Sequence, residues 1–462
     1  MSVTSSRIDV AVLGGGGGGS NAAFLLAKAG KRVVLADPAG NLGGSCLAEG
    51  CVPSKAMREA SLVRARAAKY AFFGLRGDEP GTDWSGVLAH KDQVQQTRYR
   101  QNAEELSRSG VTFHAGPGRI VGERQVEVEA ADGTHRYEFE DLIVATGSRP
   151  HCLKVPGAEL AITSHDLFRL GADLPLPGHL VVVGGGYIGV EVASMLNNLG
   201  APATVLEYTG QVLPGFDPDL AEALNSSLGQ RVRIELGAEV TAIERADGLL
   251  TVTYRQGGEE RSVVGDTVLM ATGRESVLPE GVETLGLSSR APLEVNERIR
   301  TANPHVYAPG DVNGRSMLLH SAVRQSLVAA HNILAGGQPV ERMDFGSVPF
   351  TVFTEPELAE VGLREAQARE RYGGVEVVRY GYAQDARAII FGETDGFIKL
   401  VFESQTGRLL GAQVAGLDAA QTIAPLTLAV SQGLGGNALT EAVFPHPMLS
   451  EGINKAARRF RP

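Results

Sequence analysis

The sequence predicts an α/β protein built from two dinucleotide-binding folds of one kind, followed by a third domain of short strands and helices. Three observations carry this. A strand, glycine turn, helix and second strand occur in that order twice. Each copy closes on an apolar strand ending in Ala-Thr-Gly. From about Met343 the pattern changes to short strands and turns, and then to helices. A length of 462 residues fits about three domains at roughly 150 residues each.

In the first copy, residues 9–13 (Asp-Val-Ala-Val-Leu) read as a buried strand and Gly14 to Gly19 as a turn. Residues 21–29 read as a helix and residues 31–37 as a strand ending in Asp37. The second copy repeats this with a strand over 179–183, a turn from Gly184 to Gly189, a helix over 190–199 and a strand over 203–207 ending in Glu207. Leu142-Ile-Val-Ala-Thr-Gly147 and Val268-Leu-Met-Ala-Thr-Gly273 are the closing strands. The first copy is the longer, and its surplus lies mainly between about Ser45 and Gly110, where residues 55–70 and 92–109 have helical composition. A further helix is expected over 321–334.

Composition excludes several classes. Lys plus Arg number 43 against 53 Asp plus Glu, a net charge of −10, which disfavours nucleic acid or an anionic membrane as the main partner. The 58 glycines cluster in short runs without period, as tight turns and close backbone–ligand approach require. Three cysteines, Cys46, Cys51 and Cys152, are too few for a secreted disulfide scaffold. No apolar run reaches the roughly 18 residues of a membrane span. Residues 10–13 run into six glycines with no cleavage site behind them. The expected compartment is the cytoplasm.

Gly14-x-Gly16-x-x-Gly19 stands between a strand and a helix. The first glycine makes the turn, the second lets backbone approach a pyrophosphate, and the third packs helix on strand. The helix N-terminus stabilises phosphate charge, and Asp37 can bind a ribose hydroxyl. Gly184-x-Gly186-x-x-Gly189 with Glu207 repeats the motif at the same spacing. Glu207 favours a free ribose 2′-hydroxyl, and no Arg or Lys occurs from Glu207 to Leu220 to hold a 2′-phosphate, so NAD is expected over NADP. The bland alternatives are a ligand-free βα turn and a solvated strand end.

Cys46-Leu-Ala-Glu-Gly-Cys51 is followed by Val-Pro-Ser-Lys55. Two thiols at this spacing can meet as a disulfide if the chain between them loops. Pro53 suits the first turn of a helix, which sets Cys51 near a helix N-terminus where a thiolate is stabilised, with Lys55 one turn on. A zinc site would need about four ligands, and no second Cys pair or adjacent His is present, so no metal is expected. Two inert buried cysteines remain the bland reading, and Cys152, alone, reads as inert. His446 stands between two prolines with Glu451 five residues on. A rigid His beside a carboxylate makes a good general base, although on these residues alone a surface or packing His is the better reading.

Together these residues resemble the flavoprotein disulfide reductases (class I pyridine nucleotide-disulfide oxidoreductases), and their dihydrolipoamide dehydrogenase branch most closely, from Asp9 to about Ala457. Gly43-Gly-Ser-Cys46-x4-Cys51-Val-Pro-Ser-Lys55 is similar to that family's redox-active disulfide motif. Ala308-Pro-Gly-Asp311 with Met317-Leu-Leu-His320 is similar to its second flavin-binding segment. Residues 348–362 are similar to the start of its dimerisation domain, and His446-Pro-Met-Leu-Ser-Glu451 to its His/Glu pair.

The resemblance implies two Rossmann-like FAD- and NAD-binding domains plus a C-terminal α+β dimerisation domain. Its boundaries would be 1–149 (first part of the FAD domain), 150–273 (NAD domain), 274–342 (central segment completing the FAD site) and 343–462 (dimerisation domain). It also implies the roles of residues. Gly14, Gly16, Gly19, Asp37, Ser45, Lys55, Gly118, Thr146, Gly147, Ser148, Asp311, Met317, Leu318 and His320 would line FAD. Gly184, Gly186, Tyr187, Ile188, Gly189, Glu207, Val240 and Gly273 would hold NAD. Cys51 would lie against the flavin and Cys46 would face substrate. Lys55 would pair with Glu191, and His446 with Glu451 would act in the other subunit of a homodimer. The implied activity is NAD-linked oxidation of dihydrolipoyl groups on a carrier protein or domain.

Two other readings stand beside it. One is an NADH-dependent reductase of another small disulfide, a quinone or a metal ion. The other is a flavin-bearing structural component of a large complex, which would need none of Cys46, Cys51, His446 and Glu451. Mercuric reductases and large thioredoxin reductases carry a second Cys pair near the C-terminus, whereas the last Cys here is Cys152. Glutathione reductases use arginines after the second acid and usually a lysine where Ser54 stands. This chain departs from the family's pattern at Ala48-Glu49, Phe444-Pro445, Met448, Pro309 and Glu275-Ser-Val277. Several of these positions sit at the substrate mouth, which makes substrate identity the least constrained expectation.

Overall fold

The strand Val10–Leu13 is buried along its whole length, as a parallel strand covered on both faces must be. It is the centre of a five-stranded, all-parallel sheet in the order Val306–Tyr307, Asp141–Val144, Val10–Leu13, Val33–Asp37, Thr112–Ala115. This is a computed structural model, and it describes residues 5–336, 338 and 340–460. A second all-parallel sheet runs Arg233–Leu236, Ala203–Glu207, Leu180–Val183, Thr267–Met270. In both, the glycine turn leaves the carboxyl end of the central strand and enters a helix, Ser20–Lys28 in one and Tyr187–Asn198 in the other.

Each sheet carries an antiparallel excursion before its Ala-Thr-Gly strand. Gly118–Gly122, Gln125–Ala130 and Gly133–Glu138 form the first, and Glu239–Ala246, Leu249–Gln256 and Glu259–Gly265 the second. The two units are joined by a pair of short antiparallel strands, Ser148–Pro150 and Arg274–Ser276. These excursions and linker strands are absent from the sequence reading, which followed apolar periodicity. The linker strands are three residues each, too short for a pattern to repeat.

The helices begin earlier than periodicity places them. The helix expected from residue 55 starts at Cys51, after Gly50, and the one expected from residue 92 spans Trp84–Ser109. Asp83 caps the latter by accepting a hydrogen bond from the Gly86 N–H at 3.1 Å, and Gly110 ends it in the left-handed conformation. Caps, not the apolar stripe, set the ends of helix Trp84–Ser109.

From Phe350 onward a five-stranded antiparallel sheet runs in the order Phe350–Val352, Leu358–Gly362, Leu409–Ala415, Phe397–Glu403, Val375–Gly381. Its core takes Ile423 and Leu426 from helix Ala419–Ser431 and Ile453 and Ala456 from helix Glu451–Ala457. Lys399, buried in this sheet, donates to Asp217 at 3.1 Å and Asp219 at 3.0 Å, tying it to the start of the second unit's helix Pro218–Leu228. Lys399 and Asp217 are both buried and paired with each other, which offsets the cost of desolvating them. Among the described residues no helix is long and apolar enough to cross a membrane.

Candidate active site

The two glycine turns superimpose in their chemistry. Gly14 and Gly184 have φ of 109° and 107°, a region that only glycine enters cheaply. A Cβ on either would stand 2.2 Å from the Ala145 carbonyl oxygen or 2.4 Å from that of Ala271, each in its unit's Ala-Thr-Gly strand. Gly19 and Gly189 press on the Gly14 and Gly184 carbonyls, where a Cβ would meet oxygen at 1.9 and 2.0 Å. No such contact accounts for the middle glycine. A Cβ on Gly16 would come no closer than 3.6 Å to any atom, and one on Gly186 would meet nothing within 4 Å. The first and third glycines are thus needed by the fold, while the second faces open space of the kind a pyrophosphate fills.

The acid that ends each second strand folds back on its turn. Asp37 Oδ2 accepts from the Gly15 N–H at 2.6 Å and Oδ1 from Ala39 N–H at 2.8 Å. Glu207 Oε2 accepts from Gly185 N–H at 2.6 Å and Oε1 from Thr209 N–H at 2.7 Å. Burial pushes the Asp37 carboxyl up despite these bonds. The expectation for these acids was a ribose contact. The structure shows that each also fixes the turn, a role that needs the carboxylate whatever binds.

Around the first turn, Thr146 donates to the Val277 carbonyl at 2.5 Å, and Ser148 donates to Asp311 Oδ2 at 2.6 Å. Burial pushes the Asp311 carboxyl up. Leu318 precedes helix Leu319–Leu334, and Leu319 closes on Gly17. His320 faces the Pro349 carbonyl at 2.8 Å. Gly118 starts its strand against Leu13, whose Cδ2 lies 2.5 Å from where a Cβ would be. Val240 is buried in the apolar core of the second unit with Val181 and Val183.

Cys46 lies on the short helix Gly44–Ala48, which contains Ser45, and Cys51 opens the helix Cys51–Ala67. Both are free thiols, and Cys46 hydrogen-bonds to Cys51. That bond, helped by the Lys55 charge and opposed by burial, lowers the Cys51 thiol to about 7, while donating it, together with burial, pushes Cys46 up. The pair is asymmetric: Cys51 loses its proton more readily than Cys46. Lys55 Nζ donates to Glu191 Oε2 at 2.5 Å and sits 4.5 Å from the centre of the Phe353 ring. Glu191 Oε1 accepts from the Phe353 N–H at 2.8 Å. One contact set thus joins helix Cys51–Ala67, the second unit and the C-terminal domain. Tyr187, pushed up to about 12 by burial, stacks edge-on to Phe350 with centroids 5.3 Å apart.

The His446 imidazole Nδ1 lies 2.9 Å from Glu451 Oε2, and Met448 N–H donates to the same oxygen at 3.3 Å. Burial raises Glu451, but these two hydrogen bonds outweigh it and hold the carboxyl low. Among the described residues the hydrogen bonds of His446 go to Glu451, and none joins it to the Cys46–Cys51 loop of the same chain.

Sequence reasoning missed the residues that hold the loop. Gln95, fully buried, donates to the Leu47 and Ala48 carbonyls at 2.9 and 3.1 Å. Lys91, equally buried, donates to Gln95 Oε1 at 3.2 Å and to the Arg169 carbonyl at 2.7 Å. Glu49, noted in the sequence only as a departure from the family's pattern, binds Arg274 and His165. The available signal was two polar residues four apart on the face of helix Trp84–Ser109 that also buries Leu88. No metal set was expected. Among the described residues His114, Asp132 and His135 gather ligand atoms within 4.8 Å, with His135 bonded to Asp132 at 2.9 Å and His114 to Tyr137 at 2.7 Å.

Residues 8–326 match the family described as pyridine nucleotide-disulphide oxidoreductase, and residues 348–457 match its dimerisation domain. The chain belongs to this family. It is 33% identical to a dihydrolipoyl dehydrogenase of Geobacillus stearothermophilus over 97% of this chain and 95% of that one. It is 35% identical to a glutathione reductase of Burkholderia cepacia over 96% and 97%. Among solved structures, LpdA of Mycobacterium tuberculosis is 29% identical with a TM-score of 0.90. The flavoprotein disulfide reductase RclA of Escherichia coli, solved as a Cu(II) complex, is 27% identical with a TM-score of 0.86. In both cases 99% of this chain and all of the other are covered. As a pyridine nucleotide-disulphide oxidoreductase the chain uses FAD and NAD, and the two open glycine cradles fit two dinucleotides.

Proposed function

We propose that this chain is an NAD-linked dihydrolipoamide dehydrogenase, acting as a homodimer on the dihydrolipoyl group of a carrier protein or domain. The observation that carries it is the asymmetric thiol pair: Cys51 is lowered to about 7 at a helix start beside Lys55, and Cys46 is held as its hydrogen-bond donor. We assign FAD to 1–149 with 274–342, through Gly14, Gly16, Gly19, Asp37, Ser45, Lys55, Gly118, Thr146 to Ser148, Asp311, Met317, Leu318 and His320. NAD is assigned to 150–273, through Gly184 to Gly189, Glu207, Val240 and Gly273, and dimerisation to 343–462. Glu207, with no cation up to Leu220, supports NAD over NADP.

In the working cycle His446, oriented by Glu451, takes the proton of one substrate thiol. The resulting thiolate attacks Cys46 of the oxidised Cys46–Cys51 pair, forming a mixed disulfide and releasing Cys51 as thiolate. The second substrate thiol then displaces Cys46, which leaves as a thiol, and the substrate departs as a disulfide. Lys55 and its partner Glu191 hold the charge next to Cys51. Bound FAD supplies the two-electron relay from Cys51 to NAD. Among the described residues the hydrogen bonds of His446 go to Glu451, and its service to the other subunit's loop rests on the family resemblance. A cytoplasmic setting goes with this reading, because the pair must cycle through its dithiol form.

The experiment is steady-state turnover with dihydrolipoamide and NAD, set against glutathione disulfide with NADPH. Saturable turnover of the first pair alone supports the reading. Preference for the second, or reduction of a quinone or Cu(II) by NADH with no dihydrolipoamide activity, moves the protein to another branch.

A further inference from the structure

Glu49 stands between Cys46 and Cys51, at one of the positions where this chain departs from the family's pattern. It is 9% exposed and held from two sides, with Arg274 Nη2 3.1 Å from Oε1 and His165 Nδ1 2.6 Å from Oε2. Arg274, itself 10% exposed in its side chain, also donates through Nε to Ser148 Oγ at 2.8 Å and through Nη2 to the Ser148 carbonyl at 2.9 Å. Ser148 Oγ in turn donates to Asp311 Oδ2 at 2.6 Å. An unbroken chain of hydrogen bonds therefore runs Asp311, Ser148, Arg274, Glu49, His165.

Of the two partners of Glu49, His165 belongs to the second nucleotide unit and Arg274 stands at its border. Arg274 directly follows Gly273, at the end of that unit's Ala-Thr-Gly segment and in the short ladder that joins the two units. His165 lies on the short helix Ser164–Phe168, just after Ile162, which bridges to Leu269 of the same sheet. The loop must change shape in each turnover, because a disulfide draws the sulphurs to about 2.05 Å, far closer than a thiol–thiol hydrogen bond. A charge three residues from one cysteine and two from the other moves with that change, and its buried partner cannot be left unpaired.

We propose that Glu49 is a positioning residue that couples the redox state of the Cys46–Cys51 pair to binding at the second nucleotide turn, through Arg274. This rests on the reading of that pair and that turn given above. Such coupling is reciprocal: if nucleotide binding biases the loop, the oxidation state of the loop changes nucleotide affinity by the same factor.

The test is calorimetric titration of ADP-ribose, which fills the nucleotide site without hydride chemistry. It is titrated into oxidised holoenzyme and, anaerobically, into holoenzyme reduced by one equivalent of dithionite. Wild type is expected to show Kd values that differ by about fivefold or more between the two states, and Glu49→Val a ratio close to one. Should Glu49→Val lose flavin or fail to fold, the isosteric Glu49→Gln carries the same expectation. A purely structural role would lower Tm and leave the ratio unchanged, and that result overturns the proposal, as does a wild-type ratio near one. If the reduced wild type shows no long-wavelength thiolate–flavin band, or does not bind ADP-ribose, the underlying site reading fails. If both are present and the ratio does not respond to Glu49, the coupling alone fails.

Discussion

The turns at Gly14–Gly19 and Gly184–Gly189 share their φ angles, their backbone-bonded acids and their contacts with an Ala-Thr-Gly strand, yet they differ in what stands over them. In the first, the positions after the middle glycine are Gly17 and Gly18, and the chain closes on them. A Cβ would meet Leu319 Cδ1 or the Pro309 carbonyl at 2.7 Å. In the second, the same positions are Tyr187 and Ile188, and Tyr187 leans on Phe350 of the C-terminal domain. One unit is roofed by the segment from Pro309 to Leu319. The other is bordered by the partly exposed side chains of Tyr187 and Ile188. That contrast suits a cofactor that stays bound and one that enters and leaves in each turnover, and the extra length of the first unit carries both Cys46 and Cys51.

The largest expected effect tests where the chemistry sits. Cys46→Ser reduces dihydrolipoamide-driven turnover to background while NADH still bleaches the flavin. His446→Ala lowers kcat/KM by about 10² to 10⁴-fold with flavin content unchanged, the usual worth of a general base. Next comes the roof. Gly18→Ala has to move the Pro309 backbone, so it lowers stability by about 1–3 kcal/mol and releases FAD on dialysis. Gly186→Ala meets no atom and leaves Tm unchanged, but weakens NAD binding measured by calorimetry. Equal effects of the two substitutions would erase the distinction between the turns. Smaller still in its effect on specificity, Glu207→Gln removes about 1 kcal/mol of repulsion toward a 2′-phosphate and narrows the NAD preference over NADP by roughly fivefold in kcat/KM, and it lowers Tm because one of the two backbone bonds to its carboxylate is lost.

The smallest effect is on the Cys51 midpoint. Its folded pKa is lowered, so the thiolate is present above about pH 7 and is lost as pH falls through that value. Lys55→Met withdraws a positive charge and moves the midpoint up by about one unit, read by the rate of iodoacetamide alkylation against pH.

What was legible in the sequence follows from how local its cause is. The glycine turns, Asp37 and Glu207 were readable because strand, turn and helix are adjacent in sequence and their backbone demands are specific to glycine. The Cys46–Cys51 loop was readable for the same reason. The clamp on that loop was not: Glu49, His165 and Arg274 meet across the join between two units, and no spacing along the chain signals that contact. Lys91 and Gln95 lay hidden in a largely polar helix whose buried face is set by the segment that packs on it. His446 reads as a surface or packing His on its residues alone and as a base through the family resemblance, and the fold sets its Nδ1 2.9 Å from Glu451.

The most direct test of the central claim is anaerobic reduction of the holoenzyme with dihydrolipoamide, followed by visible absorbance across pH. A long-wavelength band that appears at one equivalent and fades with a midpoint near pH 7 places the Cys51 thiolate against the flavin, as the account predicts. Bleaching of the flavin with no such band at any pH would contradict it, because the electrons would then have bypassed the thiol pair.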